Sequence, residues 1–269
     1  MSSGLRFILL GVFLATLRVF AGEPKTDINV NVTLTEEGKK IDRPTRENPA
    51  YYRAAVVGFK EEGNLVAGEK KPDKGKVFQV LKKTLAAQGY LESAPDQVSS
   101  ATLLLAFYWG YANPDRESDA ASVYDPDMDQ DMPITSFKNK EAMIGLVSGR
   151  TSKTVTDYND KTVENDRAVQ EAIEDRYFLI VSAYDLKTAI TQKKKKLLWV
   201  ARTSTPSARA SSLAEVLPAM IDTAAPFFGQ EVMPPVRSYV PVSRAGKVDV
   251  GPVTVRPDAP EGDAPRKTP

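Results

Sequence analysis

The sequence predicts an α+β fold with a mixed, largely antiparallel sheet and helices packed on one face of it. Short apolar segments typical of strands alternate with amphipathic segments that have helical spacing. The inferred order is β-α-β, an insertion with two helices, and then β-β-α. The last two predicted strands are close enough along the chain to form an antiparallel hairpin, and a mixed sheet carrying a few helices is the usual α+β packing.

The first half of the chain supplies two strands and a helix. Residues 28–32 alternate between apolar side chains and asparagine, which predicts a short strand at a sheet edge. Residues 54–59 (AAVVGF) predict a buried strand. Residues 75–88 place valines and leucines at helical spacing, and Gly89 suits the left-handed position that ends many helices.

The middle of the chain predicts a central strand and an insertion. Residues 101–111 (ATLLLAFYWGY) are continuously apolar, as in a strand that is covered on both faces. Residues 112–136 are polar and predict a long loop. Helices are predicted at 137–146 and 163–175, and the insertion is assigned to residues 112–165.

The last elements are the hairpin strands at 177–186 and 197–203 and a closing helix. The segment 212–215 (SLAE) has the capping-box pattern that starts a helix. Pro218 lies six residues after Ser212 and cannot donate a backbone hydrogen bond, so we expect a kink or a late start there.

Composition excludes several classes of protein. The 269 residues include 36 Lys+Arg and 35 Asp+Glu, so the net charge is +1 and no nucleic-acid partner is predicted. The absence of both cysteine and histidine excludes disulfides, thiolate zinc sites and imidazole catalysis. No cofactor is predicted.

The N-terminus predicts a signal peptide, residues 1–21. Arg6 precedes an eleven-residue apolar run, residues 7–17, and cleavage is expected between Ala21 and Gly22. Arg18 is unusual at its position and leaves an uncleaved anchor open. We expect a secreted or periplasmic protein with no transmembrane segment after cleavage.

These predictions divide the chain into four segments. They are the signal peptide (1–21), a polar N-terminal segment (22–50), an α+β domain with the insertion (51–233), and a flexible tail with many prolines (234–269).

Two segments resemble known ligand-binding loops, but the spacing of their key residues differs from the spacing that those loops need. Residues 145–151 (GLVSGRT) resemble a phosphate-binding loop but have three residues between the glycines where that loop needs four, so Gly149 is interpreted as a helix terminator. Alternating carboxylates make the region 125–131 a weak calcium candidate through Asp125, Asp127, Asp129 and Asp131. The sequence predicts a solvated acidic loop there and no metal site.

No catalytic residue is predicted. Glu171, Glu174 and Asp175 cluster near one helix, which favours an exposed charged face. A carboxylate-dependent hydrolase stays open, because the separation of paired carboxylates is set by the fold.

Two further features carry weak binding hypotheses. Trp109 and Tyr111, at the end of the central strand, are the candidate ligand-binding aromatics. The run Lys193–Lys196 lies in the predicted hairpin connection, where lysines are hydrated and discourage edge pairing. A weak contact of these lysines with an anionic surface is the alternative, and Trp199 is interpreted as core.

Residues 82–90 (KKTLAAQGY), Asp96, the strand at 101–110, and the segments YFLIVSAYDL and LLWVARTS resemble secreted bacterial families of unknown function. These are small envelope α+β domains, many of them lipoproteins. The resemblance covers about residues 51–230, implies an exported bacterial protein and carries over no catalytic residue. This chain lacks the lipidation cysteine and adds the insertion.

The leading functional hypothesis is a non-enzymatic envelope protein with a structural or protein-interaction role, whose partners are other envelope proteins or the cell wall. The alternative is a small-ligand or glycan-binding module that uses the region 107–136. The hydrolase is the third hypothesis.

Overall fold

The computed structural model describes residues 25–63, 70–94, 100–115, 122–125, 130–133, 138–156, 162–210 and 212–241. The predicted signal peptide lies outside the described residues, and so do Asp127, Asp129 and residues 242–269.

The described elements are nine strands and six α-helices. The strands are β1 (Lys25–Leu34), β2 (Ala50–Glu62), β3 (Tyr90–Glu92), β4 (Leu103–Ala112), β5 (Ser122–Asp125), β6 (Gln130–Pro133), β7 (Arg176–Asp185), β8 (Leu197–Pro206) and β9 (Val232–Pro241). The helices are α1 (Lys74–Ala87), α2 (Lys140–Ser148), α3 (Ser152–Val155), α4 (Val163–Ala172), α5 (Leu186–Thr191) and α6 (Leu213–Ala224).

Seven of the strands form one sheet in the order β3-β2-β4-β7-β8-β1-β9. Strand β2 runs parallel to β3 and β4, and every other pairing in this sheet is antiparallel. Strands β5 and β6 pair separately as a hairpin within the predicted loop 112–136. The mixed, largely antiparallel α+β sheet is therefore confirmed.

The predicted hairpin of β7 and β8 is also confirmed, with Val181 opposite Ala201. Its connection contains helix α5, which the sequence analysis did not identify. Asp185 starts that helix, since its carboxylate accepts a hydrogen bond from the backbone N–H of Thr188 at 2.6 Å.

Helices cover both faces of the sheet, so the prediction of helices on one face is wrong. On the first face, α1 and α6 pack on alternate residues of the central strands, such as Phe107 and Leu179. On the second face, α2 and α4 pack on the intervening residues of the same central strands, such as Phe178. The physical reason is that β4 and β7 are apolar at successive positions, and a strand of that kind is stable only when both of its faces are covered.

Strand β1 lies inside the sheet and not at its edge, because it pairs with β8 on one side and β9 on the other. Its valines and Ile28 are fully buried on the first face. Asn29 and Asn31 are fully buried on the second face, where they donate to the backbone carbonyls of Val147 and Leu146 at 2.9 and 2.8 Å. A buried asparagine is stable when its amide is hydrogen-bonded in this way, so the prediction of an edge strand from the alternating pattern is wrong.

The predicted tail begins too early, since residues 232–241 form β9 and pair with β1. Prolines 234, 235 and 241 lie in this strand. Proline is tolerated at a sheet edge because the N–H that it lacks can be one that would face solvent. Strand β9 is such an edge strand.

Most helices match the sequence analysis closely. Helix α1 begins after Asp73, whose carboxylate accepts from Lys76 N at 2.7 Å, and Gly89 follows it with φ of 88°. Helix α6 begins at Leu213 and continues unbroken past Pro218, so a late start there is wrong.

Candidate functional site

A cleft of about 420 Å³ lies between the second face of the sheet and helix α2. Its lining residues come from four strands, α2 and the turn that follows α2. They are Glu62, Tyr108, Ala112, Glu141, Ala142, Met143, Gly145, Leu146, Gly149, Arg150, Thr151, Phe178, Ile180 and Arg202.

The floor of the cleft is apolar and aromatic. Tyr108 from β4 and Phe178 from β7 meet edge to face, with ring centroids 6.1 Å apart. Ile180 lies two residues further along β7 and opposite Arg202 of β8. Side chains two residues apart on a strand share a face, so these neighbouring strands form one continuous floor.

The wall is the C-terminal end of α2, and asparagines of β1 hold it in place. Asn31 donates to the carbonyl of Leu146, and Gly149 ends the helix with φ of 72°. A Cβ on Gly149 would lie 2.7 Å from the Asn31 side-chain oxygen, so both its conformation and its packing require glycine. This confirms that Gly149 is a helix terminator, and the turn after it lines the cleft.

Arg150 extends from this turn, and its side chain is fixed by α4. Its guanidinium donates to the side-chain oxygen of Asn165 at 2.9 Å. Its backbone N–H donates to the Ser148 hydroxyl at 3.1 Å. The cleft therefore has one cationic group on the wall.

Arg202 is the second cationic group and rises from the floor. Its guanidinium donates to the Thr33 hydroxyl at 3.3 Å. Within the described part of the chain, no carboxylate lies within ion-pair distance of it. Desolvation lowers the pKa of Arg202 from its ordinary value, but a guanidinium stays charged at any physiological pH.

Two other arginines of this sheet face each contact a carboxylate of this chain. Arg176 is fully buried and contacts Glu174 at 3.2 Å. Arg237 contacts Glu171 at 2.9 Å, and the second carboxylate oxygen of Glu171 accepts from Asn29 at 2.9 Å. Glu171 was expected on an exposed face, and it is buried instead, because these partners compensate its charge.

Two carboxylates, Glu62 and Glu141, lie at the mouth of the cleft, and both are exposed. Hydrogen bonds from Ser152, including its backbone N–H at 2.9 Å, lower the pKa of the Glu141 carboxyl. A general acid for glycoside hydrolysis needs the opposite change, a pKa raised by burial. The arrangement of Glu141 therefore gives no support to a carboxylate-dependent hydrolase.

Trp109 and Tyr111 do not face the cleft, so their prediction as ligand-binding aromatics is wrong. Trp109 is fully buried and Tyr111 nearly so, and both pack in the first-face core. Burial raises the pKa of Tyr111, and Asp175 raises it further as a hydrogen-bond partner. The neighbouring residues Tyr108 and Ala112 face the cleft instead, because successive side chains of a strand point to opposite faces.

The acidic candidates are only partly within the described residues. Asp125 lies opposite Gln130 and Asp131 opposite Tyr124, at adjacent positions of the β5–β6 hairpin. Within the described ranges, no three carboxylates come together in a group that could hold a metal ion.

The run Lys193–Lys196 lies between α5 and β8 and is exposed. Lys196 contacts Glu37 at 3.3 Å, and Lys193 has a positive φ of 55°. Trp199 is buried and stacks on Phe228. The contact of these lysines with an anionic surface stays a prediction.

No protein-family model matches this chain, and no curated protein matches it. Among solved structures, a PDZ domain protein from Parabacteroides distasonis ATCC 8503 aligns over 80% of this chain and 39% of its own, with 9% identity and a TM-score of 0.38. A PelC dodecamer from Paraburkholderia phytofirmans aligns over 76% of this chain and 98% of its own, with 11% identity and a TM-score of 0.32.

A DUF4136 family protein from Bacteroides thetaiotaomicron VPI-5482 aligns over 72% of this chain and 92% of its own, with 12% identity and a TM-score of 0.29. These weak neighbours are bacterial proteins, and at such TM-scores the likeness carries no argument about function. The chain spans well under half of the Parabacteroides protein. None of the described helices combines the length and the apolar character that a membrane-spanning helix needs.

Proposed function

We propose that this protein is an exported bacterial binding protein that takes a small amphipathic ligand in the cleft beside α2. The observation that carries the proposal is a cavity of about 420 Å³ with an aromatic and aliphatic floor and two guanidinium groups. Pockets of roughly 300–1,000 Å³ with this mixture of apolar lining and few polar groups are typical of small-ligand sites. The cleft favours the ligand-binding hypothesis over a purely structural role.

The proposal also includes that the protein is exported and that its role is non-enzymatic. Export rests on the N-terminal pattern of Arg6, the apolar run 7–17 and Ala21. The non-enzymatic role is supported by the cleft carboxylates, which are exposed and, at Glu141, held in the ionised form. A binding site needs only shape and a few oriented polar groups, and the cleft offers both.

One experiment tests the binding site. The full chain is produced in a Gram-negative host and recovered from the periplasm, and its intact mass should show the loss of residues 1–21. The recovered protein is titrated with 4-phenylbutanol, an uncharged amphipathic probe, by ligand-observed NMR. We expect saturable binding with a dissociation constant of about 4 mM, since the probe has about eleven heavy atoms and each contributes roughly 0.3 kcal/mol.

A plug in the cleft supplies the specific control. Ala142 is exposed on α2 and lines the cleft, so Ala142→Trp should fill the site without disturbing the core and abolish probe binding. Val163→Trp places the same side chain at an exposed position of α4 outside the cleft and should leave binding unchanged. Equal binding to both variants, or no binding to the unmodified protein, would overturn the proposed function.

A further inference from the structure

Arg202 differs from the other arginines on its sheet face in what neutralises its charge. Arg176 and Arg237 each contact a carboxylate of this chain, Glu174 and Glu171 respectively. Arg202 has the Thr33 hydroxyl as its hydrogen-bond acceptor and, among the described residues, no carboxylate within ion-pair distance. It is also the one of the three that lines the cleft.

A partly buried guanidinium without a counter-charge loses hydration that a single hydroxyl acceptor, here Thr33, replaces only in part. Its planar fork of donors fits a planar oxyanion, which can accept two parallel hydrogen bonds. Tyr108 lies beside it in the floor, close enough for the arginine charge to act on the phenol, and burial raises the pKa of Tyr108. The phenol is therefore neutral and able to donate a further hydrogen bond.

We infer that the cleft selects carboxylic acids with an aromatic or aliphatic body, and that Arg202 binds the carboxylate while the body lies on the floor of Tyr108, Phe178 and Ile180. This inference rests on the proposed function and specifies its ligand class. A monoanion is favoured over a phosphate dianion, because Glu62 and Glu141 at the mouth repel additional negative charge.

The charge requirement can be measured with two probes that differ in one group. The mature protein is titrated with 4-phenylbutanoate and with 4-phenylbutanol at pH 7. We expect the acid to bind roughly 10- to 100-fold more tightly, the usual range for a hydrogen bond to a charged group. In Arg202→Gln, the acid should bind no better than the alcohol, and the affinity for the alcohol should change less than about threefold.

The outcomes separate this inference from the proposed function. If the alcohol binds and Ala142→Trp abolishes its binding, but the acid binds no better, the cleft is a binding site and the inference about carboxylates is wrong. If neither probe binds, both proposals are wrong. Tighter binding of phenyl phosphate than of the acid would also contradict the monoanion selectivity.

The comparison of the two probes in the unmodified protein needs no variant, so misfolding of Arg202→Gln cannot leave the inference untested. Arg209→Gln is the matched control, because Arg209 is exposed, lies outside the cleft and pairs with Asp27. That variant should keep the full preference for the acid.

Discussion

Asp185 is a residue whose charge organises a local element, helix α5. Its carboxylate caps α5, and hydrogen bonds from the Thr188 hydroxyl and backbone N–H lower its pKa from the ordinary 3.8. A carboxyl with a lowered pKa stabilises the fold above its ordinary pKa, and this contribution is lost as the pH falls through the lower pKa of the folded state. The loss should therefore occur below about pH 4.

We expect Asp185→Ala to lower the free energy of unfolding by about 1 kcal/mol at pH 7, as for other N-cap substitutions. Asp185→Asn keeps the capping oxygen without the charge, so it should cost less at pH 7 and remove this residue's part of the acid-dependent loss. Urea unfolding at pH 7 and pH 3 measures both effects. An unchanged pH dependence in Asp185→Asn would show that this carboxyl does not carry it.

At the scale of elements, Glu171 joins helix α4 to the edge of the sheet. Its carboxylate contacts Arg237 of β9 at 2.9 Å and Asn29 of β1 at 2.9 Å, and only 12% of its side chain is exposed. Removing one partner of a buried pair leaves the other charge without compensation. We expect Glu171→Ala to destabilise the protein by about 2–4 kcal/mol and to speed amide exchange first in β9.

Arg167 provides the matched control on the same helix. It contacts the same carboxylate at 3.8 Å, but 54% of its side chain is exposed. Exposed ion pairs contribute about 0–1 kcal/mol, so Arg167→Ala should change the free energy of unfolding by less than about 1 kcal/mol. Similar costs for the two substitutions would mean that the buried contacts of Glu171 are not what holds β9.

The elements that the sequence predicted well are those whose apolar pattern alone decides their structure. Helix α1 and strands β4, β7 and β8 were found within a few residues of their observed bounds. Strand β1 was predicted at an edge because asparagines usually face water. The carbonyl groups of α2 that bind these asparagines are 115 and 118 positions away in the sequence. Such long-range hydrogen bonds have no local signal.

The candidate site shows the same limit. The sequence prediction selected Trp109 and Tyr111 near the end of β4, whereas Tyr108 and Ala112 of that strand line the cleft. When a strand is apolar on both faces, its sequence pattern does not indicate which face is completely covered by helices and which face borders a cleft. Arg202 was missed because a single arginine in a strand gives no sign that its charge lacks a partner.

At the scale of the whole molecule, one sheet carries two cores that share the same strands. Phe178 belongs to the second-face cluster and the next residue, Leu179, to the first-face cluster. Loss of packing on one face therefore loosens the strands that support the other face. The two cores should unfold in a single cooperative transition.

The position of the tryptophans makes this testable. Trp109 and Trp199, the two tryptophans of the chain, both lie in the first-face cluster, so their fluorescence reports on that face. Ile144 is fully buried in the second-face cluster. Ile144→Ala should cost about 2–5 kcal/mol, and the tryptophan fluorescence midpoint should fall by roughly 5–15 °C together with the circular dichroism midpoint.

Leu81→Ala is the reference variant, because Leu81 is fully buried against the same face as the tryptophans. It should lower both midpoints whether or not the faces are coupled. The decisive comparison is the fluorescence midpoint of Ile144→Ala. If that midpoint stays at the value of the unmodified protein while circular dichroism shows an early loss of helix, the second face unfolds alone. The cleft would then belong to a separately folding layer, and the coupling through β4 and β7 would be wrong.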